Sequence, residues 1–261
     1  SGDFNLGNGV SDTWSNAGTI TASGGTLNLG GTIKTDHLGT ITQSGTGKVN
    51  LVGALDNTAA SNSSTLGIFN LSTAGLTAVN LAGTITGGTL SGTAAVTVNG
   101  GTATLDNATL NTNIVISNNG TLHLRNGLTL SSGHSVTIGN GANSGYLKYD
   151  NTGTITGNGS LIFGSTNGYR AILSANSNNG SVLTLDTGIT LSGTASASTS
   201  YADIGENSYD KIINKGSITA DQANRTFRTY GTFTNAAGAH LDVSSGDFNL
   251  GNGVSDTWSN A

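Results

Sequence analysis

The residues best equipped for chemistry crowd one segment. Asp203, Glu206, Asp210, Lys211, Lys215, Asp221, Arg225 and Arg228 fall between 203 and 228 and make up eight of the 23 charged residues in the chain. Carboxylates beside Lys or Arg on one outer face suit the cleavage or binding of an acidic polysaccharide, because a carboxylate moves the proton while a cation holds the anionic sugar. The simpler reading is a long surface loop, beginning in ASASTSYADIGENSYDK (195–211), whose charges pair with one another or touch a neighbouring molecule.

Other reactive types are scattered. His37, His123, His134 and His240 match no metal-ligand spacing, and His123, alternating with Leu122 and Leu124, reads as an outward solvated residue. Neither a Gly/Asp nonapeptide nor an acidic twelve-residue loop is present for calcium, leaving Asp3, Asp12 and Asp150 as the least unsuitable ligands. Thr-x-Thr pairs at 19–21, 40–42, 84–86, 154–156 and 232–234 raise the idea of an ice-ordering face, but they do not recur often enough to rank on every turn. Seven Asn-x-Ser/Thr sequons, at Asn62, Asn70, Asn107, Asn119, Asn158, Asn179 and Asn224, are what so much Asn, Ser and Thr produces by chance. Trp14, Trp258, Tyr146, Tyr149, Tyr169, Tyr201 and Tyr209 could stack on sugars. Tyr146 and Tyr149, an odd number of positions apart, belong on opposite strand faces, so plugs at the ends of turns are the better reading. No cofactor is expected.

The elements that must carry these residues follow from composition. Gly, Thr, Asn and Ser make 142 of the 261 residues, only 9% are charged, and Pro, Cys and Met are absent. A disulfide scaffold, a thiol enzyme and a Cys-ligated metal site are thereby excluded, and the missing Met reads as an internal or processed piece of something longer. Nine Lys and Arg within a net charge of −5 give no basic stripe for nucleic acid. No apolar run approaches the length of a membrane span. Abundant Thr, Val and Ile argue against a solvated disordered chain.

The segment SGDFNLGNGVSDTWSNA at 1–17 recurs letter for letter at 245–261, so residue n returns at n + 244. A chain whose last segment equals its first can continue into another copy of itself, which identifies residues 1–244 as one repeat and 245–261 as the start of the next. Finer punctuation divides the repeat into strands of three to five residues. Leu27 and Leu29, Leu122 and Leu124, and Val136 and Ile138 each flank one polar residue and so share a strand face. Asn-Gly, which occurs nine times, suits the sharp corners between them.

A parallel β-helix explains why such a sequence can be continued, since each coil bonds to the coils above and below and only terminal coils keep open edges. GTIT-like starts at Gly18, Gly39, Gly83, Gly153 and Gly216 are spaced by near multiples of 21–23 residues. The expected fold is all-β, a β-solenoid of roughly eleven coils per 244 residues with uncapped ends, advancing roughly 53 Å at about 4.8 Å per coil. Ile20, Leu27, Leu29, Ile41, Val49, Leu51, Val96, Val98, Leu122, Leu124, Ile155 and Leu161 are the expected core, with Thr, Asn and Ser outside.

GGTLNLGGTIK (24–34), NNGTLHLRNGLTLSSG (118–133) and TGTITGNGSLIFG (152–164) resemble the coils of large secreted bacterial β-helix proteins of the filamentous-haemagglutinin and autotransporter-passenger type. The resemblance is one of texture over most of the chain and has no diagnostic motif. It implies a right-handed parallel β-helix at the cell surface, acting as a stalk, fibre or adhesin, and it carries no catalytic residue across. The expected function is therefore structural, not enzymatic. The expected partners are identical repeats end to end, in the same chain or a neighbouring subunit, together with lateral fibre contacts or surface glycans, with no nucleic acid and no membrane span. The alternative is a carbohydrate-binding or carbohydrate-cleaving β-helix that uses 203–228.

Overall fold

The computed structural model describes residues 2–9, 11–58, 67–196 and 198–261, and these wind into a β-solenoid whose strands all pair in parallel. An eleven-stranded sheet forms the first face, from Asp3–Leu6 and Thr26–Leu29 to Ser217–Ala220 and His240–Val243, one strand per turn, so the chain makes about eleven turns. A seventeen-stranded sheet supplies the other two faces. The second face runs from Thr32–Lys34 to Asp247–Asn249 and the third from Ile68–Asn70 to Thr257–Asn260. In the first turns the third position is taken by Thr19–Ala22 paired with Thr40–Gln43. Among the described residues the sole helical turn is Thr35–His37, and no helix is long and apolar enough to cross a membrane.

Register puts like on like. Along the first face Val79, Val96, Ile114, Val136, Leu161, Leu191, Ile218 and Leu241 stack one above another. Each fully buried aliphatic side chain of this kind contributes about 1.5–3 kcal/mol, and the stack repeats that contribution on every turn. Leu27, Leu29, Ile41, Val49, Leu51, Val96, Val98, Leu122, Leu124, Ile155 and Leu161 are all buried. Ile20 differs from expectation: it is only half-buried, packed beside Ile41 in a coil that is covered on one side.

Turns are less regular than an even coil length implies. Ala78 lies on Ala95 and Ser160 on Thr190, so the second of these turns takes up far more chain than the first. The slack sits in the corners, which lengthen without disturbing the stacked strands. Two strands, Thr102–Asn111 and Thr121–Leu130, are ten residues long because they run through a corner from the second face to the third. Asn107 and Asn126 make that bend at φ of 52° and 57°, a region that Asn tolerates better than most residues. At Gly157 the constraint is steric as well: φ is 96°, and a Cβ would lie 2.0 Å from the carbonyl oxygen of Leu130 on the turn below.

Candidate functional site

The charged segment does not form one surface patch. Asp203 sits on the outer side of the second face, between Ile172 and Arg228 in register, yet it is fully buried because neighbouring turns lay side chains over it. Arg228 grips it with two bonds, Nε to Oδ1 at 2.7 Å and Nη2 to Oδ2 at 2.9 Å, and Arg170 Nε donates to Oδ2 at 2.6 Å. The Arg228 guanidinium lies 3.8 Å from the centroid of the Tyr201 ring and 5.6 Å from that of Tyr230. Arg170 also reaches Glu206 at 3.7 Å, and Lys148 stands 4.0 Å from Glu206 and 5.8 Å from the centre of the Tyr146 ring.

Burial lowers the Arg170 guanidinium, but Asp203 and Glu206 outweigh it and hold the group above its usual value. Burial likewise raises the Tyr230 phenol, with Asp203 adding to the effect. Chemically the centre is a clamp across three turns: both Asp203 oxygens are committed to guanidinium N–H groups, as two-pronged Arg–carboxylate pairing dictates.

The remaining expected residues lie elsewhere. Asp210, expected at the surface, is fully buried and organises the 206–210 loop. It accepts from Glu206 N at 2.8 Å and Asn207 N at 2.7 Å, from Ala175 N on the turn below, and from the Tyr149 hydroxyl at 3.4 Å. Arg225, also expected outside, points into the core, where its Nε donates to Thr194 O and its Nη2 to Ser165 O. With no carboxylate beside it, burial pushes the guanidinium down to about 10. Parity accounts for the reversal, since Ser200, Ala202 and Ile204 stack on Arg225, Phe227 and Thr229 along the inner side. Lys211, Lys215 and Asp221 are exposed and form no ion pair among the described residues.

Arg170, Lys148, Tyr201 and Tyr230 complete the clamp, and their membership is not legible in sequence. Arg170 and Lys148 stand far from Asp203 and Glu206 along the chain, and Tyr201 far from Arg228, so that the register of the turns brings them together, whereas Tyr230 is two residues from Arg228.

His123 faces outward but is not simply solvated: its Nδ1 lies 2.6 Å from Asp150 Oδ1, and Arg125 holds the other oxygen at 3.0 Å. Asp150 is thus occupied by side chains, and Asp12 caps Gly9 N at 2.8 Å, while Asp3, His37 and His240 are exposed. His134 keeps a buried Nδ1 with no bonding partner. Among the described residues no three His, Asp or Glu side chains converge. Of the Thr pairs, Thr84 and Thr86 lie on Ala54 and Asp56, which breaks the rank. Among the sequons, Asn107, Asn119 and Asn224 serve as left-handed corners, and Asn62 lies outside the described residues. Tyr149 is buried and Tyr146 half-buried on the opposite side. Trp14 is half-buried with its Nε1 on Gly30 O.

Amide ladders form the other extended polar feature. Asn28 donates to Asn5 and Asn50 to Asn28, both at 2.7 Å, along the first face. Asn214 and Asn235 do the same inside the third face, each at 2.8 Å, ending on Asn260. Such ladders satisfy buried and half-buried amides without any charge. Compared with known proteins, the chain matches no family model, no curated protein and no solved structure.

Proposed function

We propose that the chain is a structural repeat of an extracellular fibre, the shaft of a cell-surface adhesin or matrix filament, extended head to tail through identical copies. The observation that carries this reading is the recurrence of residues 1–17 at 245–261 in a solenoid that gains length by adding turns. The weakly charged Gly/Thr/Asn/Ser exterior supports it, since turns stacked about 4.8 Å apart tolerate amides and hydroxyls better than rows of like charge. On this reading the protein is not an enzyme: Asp203 and Asp210, the buried carboxylates of the charged segment, hold neighbouring turns together. Electron micrographs of the purified material test the proposal. Long rods of constant width support it, and isolated compact particles contradict it.

One observation favours a second reading, in which the second face binds an acidic glycan. Tyr146, Tyr201 and Tyr230 lie half-buried beside Lys148, Arg170 and Arg228, which offers ring faces and cations on one outer surface. Binding of the isolated repeat to an acidic polysaccharide, abolished by Arg170→Ala, would favour it. Turnover of that polysaccharide, lost in Glu206→Ala, would make it an enzyme.

A further inference from the structure

The seventeen-residue segment occurs twice in one chain, and its two copies occupy different faces. Asp3–Leu6 lies on the first face, bonded to Thr26–Leu29 of the following turn. Its counterpart strand, Asp247–Asn249, lies on the second face, bonded to Thr226–Arg228 of the preceding turn. The downstream copy cannot share the first face, because that position is already held by His240–Val243 just upstream. The shift persists through the segment: Thr13 bridges Thr32 on the second face, whereas its counterpart Thr257 lies on Thr232 on the third.

The two copies also spend different backbone groups. The upstream copy bonds forward: the carbonyls of Gly2, Leu6 and Asp12 accept from Thr26, Gly30 and Thr32, and Asn16 N donates to His37 O. The downstream copy bonds backward from other positions: Asn252, Thr257 and Ala261 donate to Thr229, Gly231 and Asn235. These three correspond to Asn8, Thr13 and Ala17, so none of these groups is used twice. Residues alternate in this way along a parallel strand that has a neighbour on both sides.

Side chains agree. Asp12 and Asp256 both cap the amide three residues before them, but Asp256 also accepts Gly231 N from the turn below at 2.9 Å. Phe248 stacks on Phe227 of the turn below at 5.8 Å, whereas its counterpart Phe4 lies in register beneath Leu27 and is 59% exposed. Trp258 lies on Phe233, while Trp14 reaches forward to Gly30. One copy shows what lies beneath the segment and the other what lies above it.

Resting on the head-to-tail reading, we infer that this segment is a joint coil, held by one repeat below and the next above, and that each repeat is turned by one face relative to the last. From Asp3–Leu6 to His240–Val243 the first face makes ten steps, and Asp247–Asn249 is one face further, so one period winds ten and one-third turns. Thr26–Leu29 of the next repeat then stacks on the second-face column, above Asp247–Asn249. The same face returns only after three repeats, roughly 150 Å along the axis at about 4.8 Å per turn. The faces accept such an exchange within the repeat already: G-(T/S)-I-T strings occupy the third face at Thr19–Ala22, the second at Thr84–Thr86 and the first at Ser217–Ala220. The Asp203 clamp would accordingly wind around the fibre, one face per repeat.

The test is electron cryomicroscopy of the chain lengthened by two further periods, reading which face carries Asp203 in each. The expected result is one continuous rod with Asp203 on three different faces. A continuous rod with Asp203 on the same face in every period would overturn the rotation while leaving the head-to-tail fibre intact. Three separate short rods would overturn the joint coil and the fibre reading together.

Discussion

Asp203 is a carboxylate without solvent contact, held by two guanidinium groups from adjoining turns. Removing it strands Arg228 and part of Arg170. Asp203→Ala is expected to lower stability by about 3 kcal/mol or more, as breaking a buried ion pair from one side does. Arg228→Ala added to it should cost less than the two single losses combined, which chemical denaturation of the unaltered protein, the two single variants and the double variant measures.

Tyr149 sets an alkaline limit. Burial, with Asp210 adding to it and the Lys211 amide opposing, holds its phenol above the ordinary value of 10. Unfolded chains therefore lose this proton first, and the stability it contributes, complete below pH 10, falls as pH climbs from there towards the raised value. Arg225 works in the opposite sense, since the penalty for burying its charge is lifted above about 10. Tyr149→Phe should lower the neutral-pH melting temperature slightly, through the lost bond with Lys211 N, and should remove part of the decline in stability above pH 10. An unchanged alkaline decline would contradict the assignment. The outward placement of Asp203 was expected from the sequence, though on a surface loop and not on the strand Ser200–Ile204. Its burial was not, because the covering side chains, Arg170 and Arg228, come from the turns on either side.

Strands obey their inward and outward alternation closely enough for a paired prediction. Ile155 is fully buried between Leu128 and Leu185, while Thr154 beside it is half-exposed. Ile155→Asp places an unpaired carboxylate in a narrow core and should cost about 4 kcal/mol or more, whereas Thr154→Ser should shift thermal unfolding hardly at all. Equal effects would contradict the facing. Strand type and core were readable here because an alternation of two is a local property of the sequence.

Coil length was readable only in the mean. The GTIT-like starts at Gly18 and Gly39 lie one whole turn apart on the third face, but those at Gly83, Gly153 and Gly216 lie on the second, third and first faces in turn, so the later spacings were not whole turns. They averaged to a sound number of coils because corner insertions vary around a common strand length.

The molecule as a whole behaves as a stack in which each turn is stabilised by its neighbours and by little else. Isolated turns have too few inward side chains to offset their ordering entropy, so stability should rise with the number of contiguous turns. The exact recurrence of seventeen residues was legible in the sequence. The face on which each copy lands was not, since it depends on the summed lengths of every corner between them. The central claim, that this polypeptide winds into stacked turns which another identical stretch prolongs, is tested most directly by rod length against repeat number in electron micrographs. Winding by ten and one-third turns gives an increase of about 50 Å per added repeat at unchanged width. Particles that gain beads, branches or width with each added repeat would contradict it.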